Sequence, residues 1–339
     1  MTLLELDHVG LSFRTGRGDL RALDGVSLRL AEGESLGIVG ESGCGKTTLA
    51  RTILRVLPAN AAVPTGRILF RGRDLLAMSM ADMRAVRWSG IALVTQSAMN
   101  ALDPVYRVGD QIVEAIRAHE RCSRTAAWKR AEHLLDMVGL KAEWTRRYPH
   151  EFSGGMRQRA IIAMALALDP PLIIADEPTT ALDVIMQDQV FAEIERIRRE
   201  RGTALILITH DISLVAENCD RIAIMYAGQI VEMGTTRSLL DSPMHPYTIG
   251  LRNAFPDLDG EELISIAGAP PDLVAPPSGC RFAPRCPFAR EKCTEAPELA
   301  RRGKDRWVAC HFADEADVFR EAGRDEATWE AAAAAAVPP

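Results

Sequence analysis

Apolar and polar positions alternate along residues 3–13 and 22–30, the period of strands with one buried face. Arg14–Asp19, with two glycines, predicts the turn between them. Ser35–Val39 is a short, continuously apolar run that feeds a glycine-rich loop, and Thr47–Val56 continues with helical spacing. Residues 66–70 and 91–95 read as further strands. Residues 108–168 are helix-rich, with helices predicted over Gly109–His119, Ser123–Val138 and Ser153–Ala167. Leu172–Ala175 and Ala204–Thr209 are apolar throughout, as expected of parallel strands covered on both faces. A helix over Met186–Glu200 joins them into a βαβ unit, and Arg221–Tyr226 with Gln229–Glu232 predicts a hairpin across Ala227-Gly228.

The texture changes after about residue 235. Pro243, Pro246, Pro256, Pro270, Pro271, Pro276, Pro277, Pro284, Pro287 and Pro297 interrupt any long element, which predicts a loop-rich appendage. From Ala313 the chain is acidic and alanine-rich; it could hold a short helix, but disorder is the expectation. The expected domains are therefore a main α/β domain over 1–235 with an inserted helical part at about 98–168, an extension over 236–312, and a tail over 313–339.

Composition narrows the class. The 339 residues are 47% hydrophobic and 25% charged, the profile of a soluble globular protein. A net charge of −6 argues against nucleic acid as the main partner. Met1–Glu5 shows no basic, apolar leader. The longest apolar run, Ala160–Leu168, is about half of the roughly 20 residues that a membrane-spanning helix needs, so no span is expected.

Gly40-Glu41-Ser42-Gly43-Cys44-Gly45-Lys46-Thr47 matches the phosphate-loop pattern at every fixed position, between a predicted strand and a predicted helix. Glycines let the backbone curl so that several N–H groups face an anion, and the helix start adds its positive dipole end. Lys46 suits the β- and γ-phosphates, and the Thr47 hydroxyl suits Mg²⁺; Thr48 follows in the same turn. Leu172–Ala175 ends in Asp176-Glu177. An acid at the end of a buried strand suits Mg²⁺, and the next carboxylate suits a general base for water. Gln96 and His210 each end an apolar strand, where ligands of parallel sheets bind. Ser153-Gly154-Gly155 opens a helix with a hydroxyl and free N–H groups.

These motifs, in this order, resemble the ATP-binding subunit of an ABC transporter over roughly residues 3–235. The resemblance implies a P-loop NTPase core with a mixed sheet, an antiparallel β subdomain and an inserted helical subdomain. It implies Phe13 as the aromatic stacked on adenine, Gly40–Thr47 as Walker A, Gln96 as the Q-loop and Ser153–Gln158 as the signature. Leu172–Glu177 would be Walker B, Asp183 the D-loop and His210 the switch histidine. The common signature reads Leu-Ser-Gly-Gly-Gln, whereas this one has Phe152 and Met156 around an intact Ser-Gly-Gly. That variant, Asn100–Pro104, Gly109–Ile112, His245–Thr248 and Cys280–Pro287 look like the dipeptide/oligopeptide (and nickel) importer branch.

Seven cysteines are present, four of them in the late array Cys280, Cys286, Cys293 and Cys310. The expected reducing compartment favours metal binding over disulfides. The spacing C-x5-C-x6-C-x16-C lacks the tight pairs of structural zinc sites, and it leaves iron–sulfur, zinc and unligated thiols all open. The resemblance implies a 4Fe-4S cluster on these four thiolates, with zinc as the alternative; the adjacent His311 is read as a bystander, with ligation as its alternative role.

The same resemblance implies ATP and Mg²⁺ as cofactors and a second ABC ATPase subunit, homologous or identical, stacked head to tail. It further implies two transmembrane permease subunits, an extracytoplasmic solute-binding protein and a peripheral position on the cytoplasmic face of the inner membrane. The expected activity is ATP hydrolysis coupled to uptake of dipeptides or oligopeptides, with nickel or another small solute as the alternative cargo. A soluble ABC ATPase of translation or DNA repair is disfavoured, because the chain has one cassette, no heptad run and no basic stretch.

Overall fold

The computed structural model describes residues 1–95, 101–178, 184–254 and 264–330. In chain order the strands are β1 Thr2–Thr15, β2 Gly18–Ala31, β3 Ser35–Val39, β4 Thr65–Phe70, β5 Arg73–Asp74, β6 Ile91–Val94, β7 Leu172–Asp176, β8 Ala204–Thr209, β9 Arg221–Tyr226, β10 Gln229–Thr235, β11 Ala300–Arg301 and β12 Trp307–Val308. The helices are α1 Lys46–Ile53, α2 Met80–Val86, α3 Val108–His119, α4 Arg124–Met137, α5 Gly154–Ala165, α6 Val184–Arg201, α7 Ile212–Asn218, α8 Thr236–Asp241, α9 Pro246–Asn253 and α10 Ala316–Ala322. The chain divides into two compact units: Met1–Leu3, Leu30–Ser35 and Ala77–Ile208 form one; Leu4–Arg29, Leu36–Leu76 and the chain from Thr209 form the other.

In the first unit, β6, β7 and β8 run parallel, with Ala175 opposite both Val94 and Leu207. Every residue of β7 and β8 is buried, which is why both read as unbroken apolar runs rather than alternating ones. The helical part is built from α3, α4 and α5. Its Ser123 caps α4 by accepting from the Ala126 N–H, and Ser153 caps α5 in the same way.

The second unit contains an antiparallel sheet and a mixed one. In the antiparallel sheet β1 and β4 pair with Leu4 opposite Phe70, and β4 pairs with β5. In the mixed sheet β3 lies parallel to β9, β9 pairs antiparallel with β10, and β10 pairs with β12. The extension therefore adds a strand to the hairpin sheet, with Val308 opposite Glu232.

Several helices were not expected from the sequence. Helix α9 begins at Pro246, with the His245 ring nitrogen accepting from the Tyr247 N–H. Proline at the first helical position starts a helix rather than breaking one, because its missing N–H has no partner there anyway. The expectation of disorder from Ala313 is corrected for residues 313–330. Helix α10 and a second turn over 326–330 are ordered there. The cause is aromatic burial. Phe319 stacks on Phe288 with ring centroids 4.4 Å apart, and Trp329 is buried with its indole N–H donating to the Gly323 carbonyl.

Candidate nucleotide site and cysteine cavity

The phosphate loop grows out of β3, all five residues of which are buried. Gly45 has φ +109°, and a Cβ there would lie 2.5 Å from the Ala22 carbonyl oxygen; one on Gly40 would lie 2.0 Å from that of Met225. Only glycine lets the loop sit this close to neighbouring backbone. The Gly228 N–H, from the β9–β10 turn, donates to the Cys44 carbonyl and pins the loop from that side. Ser42 and Gly43 are exposed at its crest. Lys46 is only 6% exposed, and its ammonium donates to the Gly40 carbonyl at 2.6 Å and the Glu41 carbonyl at 3.0 Å. Its positive charge is thus held over the loop, at the start of α1. Burial pushes the Cys44 thiol above its ordinary range despite the neighbouring Lys46.

In the same unit, Phe13 lies half-buried on β1, bridged to Ala61, and is not part of the core. His210 is exposed immediately after β8. The next residue, Asp211, caps α7 by accepting from the Ser213 and Leu214 N–H groups.

In the other unit, Asp176 is 3% exposed at the C-terminal end of β7. Glu177 follows with φ +47°, and its N–H donates to the Ile208 carbonyl at 2.8 Å. A left-handed conformation is unfavourable for a glutamate, and such strain concentrates at functional positions. Glu177 thus leaves the extended conformation of β7, while Asp176 stays in register with Ile208. Also in this unit, Ser153, Gly154 and Gly155 form the first turn of α5, with Ser153 exposed. Phe152 is buried edge-on against Trp144 at 5.0 Å, which explains an aromatic at that position. Gln158 is 2% exposed and belongs to the interior.

The extension brings Cys280, Cys286, Cys293 and Cys310 to one cavity, together with His245, Phe282, Phe288, His311 and Phe319. All four cysteines are free thiols. Burial pushes Cys310 up to about 11 and raises Cys280 and Cys286 as well, and each thiolate would repel the others. A buried thiolate is tolerated beside a metal, which supplies the compensating charge. His311 instead engages the Glu295 backbone carbonyl at 3.0 Å. Among the described residues, no group of three or more His, Cys, Asp or Glu side chains is arranged to hold a metal ion as it stands. No described helix is long and apolar enough to cross a membrane.

The ABC transporter family profile matches residues 23–180, and the profile for the C-terminal region of oligopeptide/dipeptide transporters matches residues 231–293. The dipeptide transport ATP-binding protein DppD of Bacillus subtilis is 44% identical over 92% of this chain and 95% of its own length. The chain belongs to the ABC transporter ATP-binding family. The oligopeptide transport ATP-binding protein OppD of Salmonella typhimurium is 43% identical over 91% of this chain and 93% of its own. Among solved structures, the dimeric MJ0796 ABC transporter cassette aligns with a TM-score of 0.62 and 29% identity, covering 69% of this chain and 99% of that one.

For this ABC ATPase, the structure brings Gly40–Thr48 into one loop and helix start, Asp176 and Glu177 to one strand end, and Ser153–Gly155 to one helix start. Gln96 and Asp183 lie outside the described residues. Sequence reasoning missed the partners of Glu41. Its carboxylate pairs with Arg285, and its N–H donates to the Tyr247 hydroxyl at 3.0 Å. No local pattern signals a pair 244 residues apart.

Proposed function

We propose that this ABC ATPase is the energising subunit of an importer for dipeptides and oligopeptides. It would work at the cytoplasmic face of the inner membrane beside a second ATPase subunit, two permease subunits and an extracytoplasmic solute-binding protein. The observation that carries the cargo class is the match of residues 231–293 to the C-terminal region of oligopeptide/dipeptide transporters. The relatives named for dipeptide and oligopeptide transport support it over more than nine-tenths of the chain.

In this reading Phe13 stacks on adenine, the N–H groups of Gly40–Gly45 and Thr48 receive the phosphates, and Lys46 neutralises the β- and γ-oxygens. Thr47, Asp176 and Gln96 hold Mg²⁺, which when bound spreads the charge of the transferring phosphoryl group. Glu177 takes a proton from the attacking water as its oxygen bonds to the γ-phosphorus and the bond to ADP breaks, while His210 and Gln96 position that water and phosphate. The left-handed backbone and half-burial of Glu177 support that role. Ser153, Gly154 and Gly155 serve the nucleotide held by the partner subunit, with Asp183 at the junction. Closure would reach the permease through the helical region near Gln96–Gln111. The Gln111 side chain donates to the Asp103 and Tyr106 carbonyls, leaving Val105 and Tyr106 exposed as apolar contacts.

We further propose that Cys280, Cys286, Cys293 and Cys310 ligate a 4Fe-4S cluster with a structural role, zinc being the alternative. Support comes from four free, part-buried thiols around one cavity. Protein purified without oxygen is expected to be brown and to contain iron; colourless protein with zinc and no iron refutes the cluster. The transport reading is tested by copurification with the membrane partners and ATPase assay in liposomes. Peptide-loaded binding protein should stimulate turnover, and stimulation by metal alone would overturn the peptide cargo.

A further inference from the structure

Glu41 occupies the first variable position of the phosphate loop, where a carboxylate opposes the polyphosphate that the loop receives. Its two oxygens accept from both terminal nitrogens of Arg285, at 2.8 and 3.1 Å. Arg285 is 6% exposed, and the rest of its fork is fully committed. Its Nε donates to the Ala267 carbonyl, its two terminal nitrogens reach the Ile266 carbonyl and the Tyr226 hydroxyl, and the guanidinium lies 5.8 Å from the Tyr226 ring centroid. A guanidinium fixed at this many points presents a carboxylate clamp of set orientation. The Glu41 backbone is held from the same side, through its N–H to the buried Tyr247 hydroxyl, and Tyr247 packs 4.6 Å from Tyr226.

Arg285 lies in the turn Ala283–Arg285, bracketed by Cys280 and Cys286. At the other end of that bracket, Arg281 donates to Asp24 and to the Ala227 carbonyl, beside the Gly228 N–H that pins Cys44. The two arginines between the cysteines thus hold both the loop and the hairpin turn beneath it.

We propose that Arg285 is a positioning residue for ATP binding, acting through Glu41: it neutralises and orients that carboxylate so that the phosphate loop accepts a polyphosphate. The extension then sets the nucleotide affinity of the core without touching the nucleotide. This rests on reading the loop as an ATP site. If the unsubstituted chain did not bind ATP, that reading would fail first and visibly.

The test is equilibrium titration of the full-length chain with a fluorescent ATP analogue, alongside thermal unfolding. Arg285→Ala should weaken ATP binding about tenfold, because it strips the charged partner from a part-buried carboxylate. Arg285→Lys, which keeps the charge but loses the bidentate fork, should weaken binding less than Arg285→Ala. Arg285→Ala combined with Glu41→Gln should recover most of the loss, since no charge then needs neutralising. Unchanged affinity in Arg285→Ala, or a double variant as weak as the single one, overturns the proposal in favour of a purely structural arginine. Should Arg285→Ala fail to fold, Arg285→Lys is compared with Arg285→Gln: lower affinity in the glutamine variant supports the proposal, and equal affinities overturn it.

Discussion

The phosphate loop and the cysteine extension share one compact unit, but they are held together by different means. The loop is held mainly by backbone. A fully buried strand leads into it, glycines let it approach the Ala22 and Met225 carbonyls, and the Gly228 N–H bonds to Cys44. The extension is built from two short helices, tight turns and two-residue strands, and it is held mainly by side chains. Glu232, with no exposed surface, accepts from Arg306 and from the Met244 and His245 N–H groups. Tyr226, Tyr247 and Phe282 pack against one another with ring centroids 4.6–5.4 Å apart. Backbone-held geometry tolerates many sequences at its variable positions. Side-chain-held geometry depends on individual residues, so stability should be concentrated in a few breakable contacts.

Substitutions should separate the two regimes. The largest effect is expected in the tail that follows the extension. Trp329→Ala empties a buried indole site and should cost about 4 kcal/mol in urea unfolding. A cost of a few tenths would mean that residues 313–330 behave as the tail their composition suggests. Arg306→Ala leaves Glu232 buried without its cation and should cost about 3 kcal/mol. Here a raised stability would show that the pair serves specificity rather than stability. Lys46→Ala should do the opposite, leaving unfolding nearly unchanged while ATP affinity falls roughly a hundredfold. A comparable loss of stability would blur the contrast between the regions.

The smallest expected effect is a pH dependence. Burial holds His245 down at about 3, against an ordinary value of 6.5. Below pH 6.5 the unfolded chain takes up a proton that the folded chain refuses, so stability is lost as pH falls from 6.5 toward 3. At pH 5.5 this amounts to about 1 kcal/mol relative to pH 7.5. His245→Asn should lose that slope in urea unfolding measured at both pH values, and an unchanged slope would place its origin elsewhere.

The same contrast explains what could be read in advance. Strands β3, β7, β8 and β9 are continuous apolar runs, so their places were legible from local pattern. The phosphate loop was legible because its chemistry forces glycines and a lysine into fixed spacing. Helix α9 was hidden because Pro246 looks like a breaker unless its capping partner His245 is recognised. The order of 313–330 was hidden because it rests on Phe319 and Trp329, two residues in a stretch otherwise dominated by alanine and acids. The Arg285–Glu41 clamp was invisible because its partners meet only through the fold. In the site itself, residue types were legible but not backbone conformation: nothing local announces that Glu177 takes φ +47°.

We propose that Glu177, in the left-handed turn after β7 and next to the buried Asp176, is the base for ATP hydrolysis in this chain. The most direct measurement is ATP binding and turnover of Glu177→Gln in the complex reconstituted with its membrane partners. Wild-type ATP affinity is expected with turnover reduced about a thousandfold, ATP remaining trapped on the protein. Turnover close to that of the unsubstituted complex would contradict it.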